Sequence, residues 1–233
     1  MIRADDIDRF YALLSELEEQ VGGKQRLGEC TGYMDWPNRG IYFFFAPDEY
    51  RGQQLRLTRV GTHAVSQGSQ TALWDRLRTH RGAQRGTYEG GGNHRGSVFR
   101  KRIGEAIIER DGLHGEHSDW GVGSSAGRDQ RLTELELERR VSDYIRDLPF
   151  LWVKVDDEPG PDSDRAYLEQ NVIALLSNHQ CTPIDEREQW LGQYSRSEKI
   201  RDSGLWNVNH VDEGYNPEFL SVLQEQIEQT SPP

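Results

Sequence analysis

Near the start of the chain, Ile7, Phe10, Leu14, Leu17 and Val21 recur at intervals of three and four, after Asp5 and Asp6 and before Gly22-Gly23. This spacing predicts one helix over 5–22, capped by either aspartate and ended by the glycine pair. The pattern then changes period. In "RGIYFFFAPDEYRGQQLRLTRVGTHA", residues 39–64, a nearly continuous apolar run covers 40–46 and a strict alternation covers 54–60. These are two strands, and "PDEYRG" between them supplies turn residues, so an antiparallel hairpin is expected. A helix follows in "SQTALWDRLRTH", capped by Ser69 or Thr71, with Leu73, Trp74 and Leu77 on its buried stripe.

Residues 81–97 are rich in glycine and poor in apolar side chains, which predicts a flexible loop. A helix from about Ser97 to Arg110 comes next, then a second loop, "DGLHGEHSDWGVGSSAGRD". A charged helix over 132–147 carries Leu132, Leu135, Leu137, Val141 and Ile145. "PFLWVKVD" has the composition of a strand, and "PGPDSDRAYLEQNVIALLSN" is a helix capped by Asp162 or Ser163. The tail holds "SGLWNVNHV" and a last amphipathic helix near Pro217–Gln229. The order implies an α+β fold: a small, mostly antiparallel three-stranded sheet flanked by helices, with helical and loop insertions, in a single decorated domain over 1–233.

Composition narrows the class. With 34% hydrophobic and 29% charged residues, the chain can bury a core but must carry a strongly polar surface. The formal charge of -11 disfavours nonspecific attraction to polyanions. The distribution tells more than the sum. Between Thr71 and Arg102, Arg76, Arg78, Arg81, Arg85, Arg95, Arg100, Lys101 and Arg102 face only Asp75 and Glu89. Cys30 and Cys181 have no paired spacing, which suggests neither a disulfide framework nor a thiolate zinc site. No apolar run approaches spanning length and the N-terminus is acidic, so a soluble, cytoplasmic protein is expected.

Several short motifs carry chemistry only when read together. Gly40-Ile41-Tyr42 opens a strand, Val60-Gly61-Thr62 ends the next, and Arg76 and His80 lie one turn apart on the helix that follows. Glu169 lies in "YLEQNVI" on a later helix. In this order and on these elements the motifs resemble the GIY-YIG endonuclease family, over residues 39–81 and about 149–178. On that resemblance the core runs from 38 to 180 with an insertion at about 82–148, between an N-terminal helix (1–30) and a C-terminal extension (181–233).

The resemblance implies metal-dependent hydrolysis of a DNA phosphodiester with one Mg²⁺ or Mn²⁺. Glu169 would be the metal ligand and Arg76 would clamp the scissile phosphate. Tyr42 would sit against the attacking water or help to activate it, and His80 would assist proton transfer or hold the tyrosine in place. The residue types suit those tasks. A permanently charged, planar guanidinium offers two donors to phosphate oxygens, and Mg²⁺ needs few carboxylates when substrate oxygens and water complete its shell. A glycine at a strand end permits close approach of another group. The chain departs from the family where the second motif begins: Arg59 stands in place of a tyrosine. Either His63 substitutes for the missing hydroxyl or the chemistry is altered.

The family asparagine has no neat counterpart; Asn178, Asn207 and Asn209 are candidates, and Asn207 or Asn209 is favoured. Arg78, Arg81, Arg85 and Arg95, with those asparagines, are the expected contacts to DNA, more readily double-stranded because aromatic stacking residues are scarce in the basic stretch. "HGEH" at 114–117 lies in a glycine-rich loop without cysteine partners and is not read as a zinc site. "GGNHRG" is a loop placed to touch DNA. Two other readings stand beside the enzyme: a catalytically silent module of this fold that binds nucleic acid or a protein, suggested by Arg59, and a pure protein-interaction domain, suggested by the acidic remainder.

Overall fold

The computed structural model describes residues 2–177 and 189–233. In chain order they form α1 (Ile2–Val21), β1 (Gln25–Arg26), β2 (Gly40–Arg51), β3 (Gln54–Gly61), α2 (Leu73–Arg81), α3 (Val98–Asp111), α4 (Arg128–Thr133), α5 (Leu135–Asp147), β4 (Pro149–Lys154), α6 (Asp164–Leu176), α7 (Glu198–Ser203) and α8 (Phe219–Glu228). The class is α+β, as expected, but the sheet has four strands in the order β1-β4-β2-β3, every pair antiparallel. The unforeseen β1 is only two residues long, too short to leave a periodicity in the sequence. No helix among the described residues is long and apolar enough to cross a membrane.

β2 is a near-continuous apolar run because both of its faces are covered. Tyr42 and Phe44 point toward α2 and α3, where Phe44 packs beside Phe99 at 5.5 Å between centroids. Phe43 points the other way, edge-on to Phe10 of α1 at 6.0 Å. On β4 beside it, Phe150 and Trp152 share the face of Tyr42 and Phe44, Phe150 packed 5.4 Å from Phe44 and Trp152 edge-on to Trp36 at 5.0 Å, while Leu151, paired with Phe43, takes the other face. Helices α1, α6 and α8 close the second face, so the sheet is the middle of three layers.

The hairpin departs from expectation at "PDEYRG". β2 runs through that stretch to Arg51, and Gly52, at φ +60°, makes the reversal instead. The ladder slips register between Phe45 and Tyr50, so Pro47 lies in an irregular stretch where its missing N–H costs no pairing. Helix α2 begins one residue after the expected caps, with Asp75 Oδ2 accepting from the Ala72 N–H at 3.2 Å in place of Ser69 or Thr71. The helix expected over 132–147 is two helices that break at Glu134. Ser97 and Ser163 cap α3 and α6, accepting from Arg100 N and Ala166 N.

β3 lies at an edge of the sheet, yet its polar alternation does not face water: Arg56, Thr58 and Arg59 are buried. The segment after α7 covers that edge. Trp206 N donates to Thr58 O at 2.8 Å, and the Asn207 side chain accepts from Val60 N at 3.2 Å and donates to Val60 O at 3.0 Å. A side-chain amide thus completes the ladder where another strand would otherwise pair.

Candidate active site

The first motif residues stand at the end of the sheet where β2 begins and β3 stops. Tyr42 pairs in register with Gly61, and its ring lies across that glycine: a Cβ on Gly61 would come within 2.3 Å of the Tyr42 hydroxyl oxygen. Any other residue there would displace the ring. Gly40 is equally confined, since its Cβ would lie 2.3 Å from Val153 O.

Helix α2 faces this strand end. The Tyr42 hydroxyl lies 2.8 Å from His80 Nε2, and His80 Nδ1 lies 2.9 Å from the Ser97 hydroxyl. His80 is fully buried, and its pKa is pushed well below the ordinary histidine value by burial first and then by the cations of Arg76, Arg59 and Arg100. It is a neutral imidazole. Arg76, one turn earlier, puts its guanidinium beside Tyr42, and its pKa rises above the ordinary value mainly through the Tyr42 oxygen, with burial opposing and Glu169 adding to the rise. One of its nitrogens donates to Gly96 O at 3.4 Å, while its Nε is buried without a partner.

Glu169 reaches the same place from α6. Burial raises its pKa, and Arg59, His210, Arg76 and the backbone amide of Thr62 pull it back part of the way. Among the described residues no cation pairs with this carboxylate within 4.0 Å. The structure therefore brings Tyr42, Gly61, Arg76, His80 and Glu169 to one strand end.

The donor set suits Mg²⁺ or Mn²⁺ better than zinc. Among the described residues no three His, Cys, Asp or Glu side chains cluster as a cage. One hard carboxylate, desolvated and not ion-paired, fits a cation that keeps several waters and takes phosphate oxygens.

Arg59, which stands where the second motif would begin with a tyrosine, lies beside this site. It sits two residues before Gly61 on the same face of β3, its guanidinium over the Phe99 ring at 5.2 Å and one nitrogen donating to Trp206 O at 2.7 Å. It is the first of the cations that lower the Glu169 pKa. Strand alternation from Gly61 was the available signal.

His63 does not take the place of the missing tyrosine. Its Nε2 accepts from Gly40 N at 3.3 Å and its Nδ1 lies 2.8 Å from Thr71 O, so both ring nitrogens are engaged with backbone. Burial, opposed by the Thr71 hydrogen bond, lowers its pKa to about 4, with Arg165 and Arg76 adding to the fall. It is a neutral brace between strand and loop.

The expected DNA contacts divide. Arg78 is exposed and pairs with Asp75 at 3.1 Å; Arg85 and Asn209 are exposed. Arg81 lies over Trp74 and donates to Cys30 O at 2.5 Å. Arg78, Arg81 and Arg131 line a groove of about 390 Å³ with Gly82, Gly92 and Gly96. Two expectations are corrected. Arg95 forks onto Glu134 at 2.6 and 2.7 Å with its side chain only 4% exposed, and Asn207 is consumed by Val60. Asn178 falls outside the described residues.

Two more arginines of the basic stretch are paired with glutamates. Arg100 is fully buried on Glu138 at 2.5 Å, and Arg102 meets Glu105 at 2.8 Å. His94 of "GGNHRG" is not a surface contact either: it stacks on Trp120 at 3.9 Å and lies 3.0 Å from Glu138. His114 of "HGEH" pairs with Glu109 at 3.2 Å and meets Arg196.

A family model described as GIY-YIG domain matches residues 1–233. The chain belongs to the GIY-YIG domain family, a family of nuclease type, and the match takes in residues 82–148 as well as the motif-bearing strands and helices. No curated protein and no solved structure matches it.

Proposed function

We propose that this protein is a metal-dependent endonuclease that hydrolyses DNA phosphodiester bonds, with double-stranded DNA as the partner. The observation that carries the reading is the convergence of Tyr42, His80, Arg76 and Glu169 around Gly61. Glu169 would hold Mg²⁺ or Mn²⁺. Bound there, the cation would supply positive charge to the phosphate oxygens and a water of lowered pKa.

The protein's own groups do the rest. Arg76 offers its guanidinium to the nonbridging oxygens, where negative charge grows during in-line attack. Tyr42, fixed on a strand and held by His80, would set its hydroxyl against the attacking water or help to activate it. Arg78, Arg81 and Arg131 provide a basic groove on the α2 side, suited to backbone phosphates flanking the scissile one.

Plasmid nicking with Mg²⁺ tests this. Glu169→Ala and Arg76→Ala should each lower the rate by about 10²-fold or more while the melting temperature shows a folded protein. Cleavage unaffected by both changes removes the site. One observation favours a silent nucleic-acid-binding module: Arg59 brings a permanent positive charge toward the carboxylate that would hold the metal. Salt-dependent DNA binding with no cleavage under any divalent metal would select that reading.

A further inference from the structure

We propose that Arg59 is a second ligand of the phosphate that Arg76 clamps, so that the two guanidiniums hold a backbone phosphodiester group between them even without a metal. The inference rests on the reading of this strand end as a phosphodiester site, and it adds a residue that the motifs leave out.

The chain treats its buried cations by one rule, with one exception. Among the described residues four arginines are buried: Arg56, Arg59, Arg100 and Arg165. A buried guanidinium is tolerated when a carboxylate neutralises it. Three of the four comply: Glu49 meets Arg56 at 2.7 Å, Glu138 meets Arg100 at 2.5 Å and Asp157 meets Arg165 at 2.5 Å. Arg100, which also donates to His80 O at 2.7 Å, therefore brings no uncompensated charge to the site. Arg59 differs. At 8% exposure it has no carboxylate within 4.0 Å among the described residues. Its guanidinium donates to a neutral carbonyl, Trp206 O, and its Nε is sealed without a partner.

Arg76 shares this condition, with no carboxylate within 4.0 Å among the described residues and an Nε likewise sealed. The two side chains lean on one stretch of chain at the start of α3. Arg76 donates to Gly96 O at 3.4 Å, and Arg59 lies over the Phe99 ring at 5.2 Å. Phe99 is in turn edge-on to His80 at 5.4 Å, the imidazole that lies 2.8 Å from the Tyr42 oxygen. Strand pairing agrees, because Arg59 stands opposite Phe44 and so shares the face of Tyr42.

Glu169 is the carboxylate on which both arginines act. One carboxylate does not neutralise two guanidiniums, and a metal bound to it would take up even that charge. The site is left with excess positive charge in either state, and an anion is what it lacks. A phosphodiester brings one negative charge on two nonbridging oxygens, which planar guanidiniums match as donors. The groove lined by Arg78, Arg81 and Arg131 meets Arg76 at Gly96, which favours a polyanion over a lone carboxylate.

The test is calorimetric titration of the full chain with inorganic phosphate, in EDTA and at constant ionic strength. Wild type should bind, and a short DNA duplex added first should abolish the heat. Arg59→Gln and Arg76→Gln should each weaken phosphate binding about tenfold or more, as the loss of one charge-assisted hydrogen bond does, while near-ultraviolet circular dichroism shows the fold kept. Arg9→Gln removes an equal charge from the exposed side of α1, on the other face of the sheet, and should bind as wild type does.

No binding by wild type, binding unchanged in either site variant, equal weakening in Arg9→Gln, or heat that survives the duplex overturns the proposal. If Arg59→Gln does not fold, a tungstate soak of wild-type crystals decides: density between Arg59 and Arg76 is expected, and density only elsewhere, or none, overturns it. Because neither readout needs turnover, the two readings fail separately. Anion binding at Arg59 with no cleavage under any divalent metal sinks the nuclease alone, and Glu169-dependent cleavage with no anion at Arg59 sinks the Arg59 role alone.

Discussion

Gly61 illustrates how much one missing methyl group decides. With its Cβ position 2.3 Å from the Tyr42 oxygen, Gly61→Ala should push the ring aside, lower stability by about 1–3 kcal/mol and cut nicking by about 10²-fold. A crystal structure of the variant with Tyr42 in place, or unchanged nicking, would contradict this. His63 sets a second expectation, in stability against pH. Its folded-state pKa lies near 4, below the ordinary value near 6.5, so between those limits the unfolded chain binds a proton that the folded chain does not. The stability this contributes is complete above about pH 6.5 and is lost as pH falls toward 4, amounting to roughly 3 kcal/mol. Urea midpoints measured from pH 4 to 7 should climb, and less steeply in His63→Asn. These residues were legible to different degrees. Tyr42, Gly61, Arg76, His80 and Glu169 could be read because their motifs stand in the order and on the elements of the family they resemble. The burial of Arg59 could not, because the carbonyl that anchors it belongs to Trp206, 147 positions downstream.

Among the elements, the covered edge of β3 has the clearest consequence. Asn207→Ala would strip partners from both Val60 backbone groups, and the desolvation left behind should cost about 1–3 kcal/mol. Hydrogen exchange at the Val60 amide should accelerate more than at Val153 in the middle of the sheet; equal acceleration would mean that the side chain does not complete the ladder. This edge also explains a limit of sequence reading. Alternation over 54–60 correctly announced a strand, but which face meets water depends on a segment that packs there from far along the chain. The overrun of β2 past Pro47 has a similar origin, because an irregular stretch of ladder accepts residues that by themselves signal a turn. Helices α3 and α6 were readable nearly to the residue, since each opens on a serine whose oxygen caps a nearby amide.

At the scale of the molecule, charge is arranged rather than accumulated. Of the arginines in the basic stretch, Arg95, Arg100 and Arg102 are answered by Glu134, Glu138 and Glu105, so local net charge in the sequence overstates what DNA would meet. If the groove binds backbone phosphates, Arg81→Ala and Arg131→Ala should each reduce the salt slope of DNA binding by about one. Arg95→Ala should leave the slope alone and lower the melting temperature instead, and the reverse outcome would place Arg95 at the surface. The clasp of Arg100 between Glu138 and the His80 carbonyl reaches further still. It makes the chain a poor candidate for miniaturisation: replacing residues 82–148 with a short linker would retain every motif and discard the scaffold that steadies the histidine, so a trimmed version should express, if at all, without a fixed tertiary signal in near-ultraviolet circular dichroism.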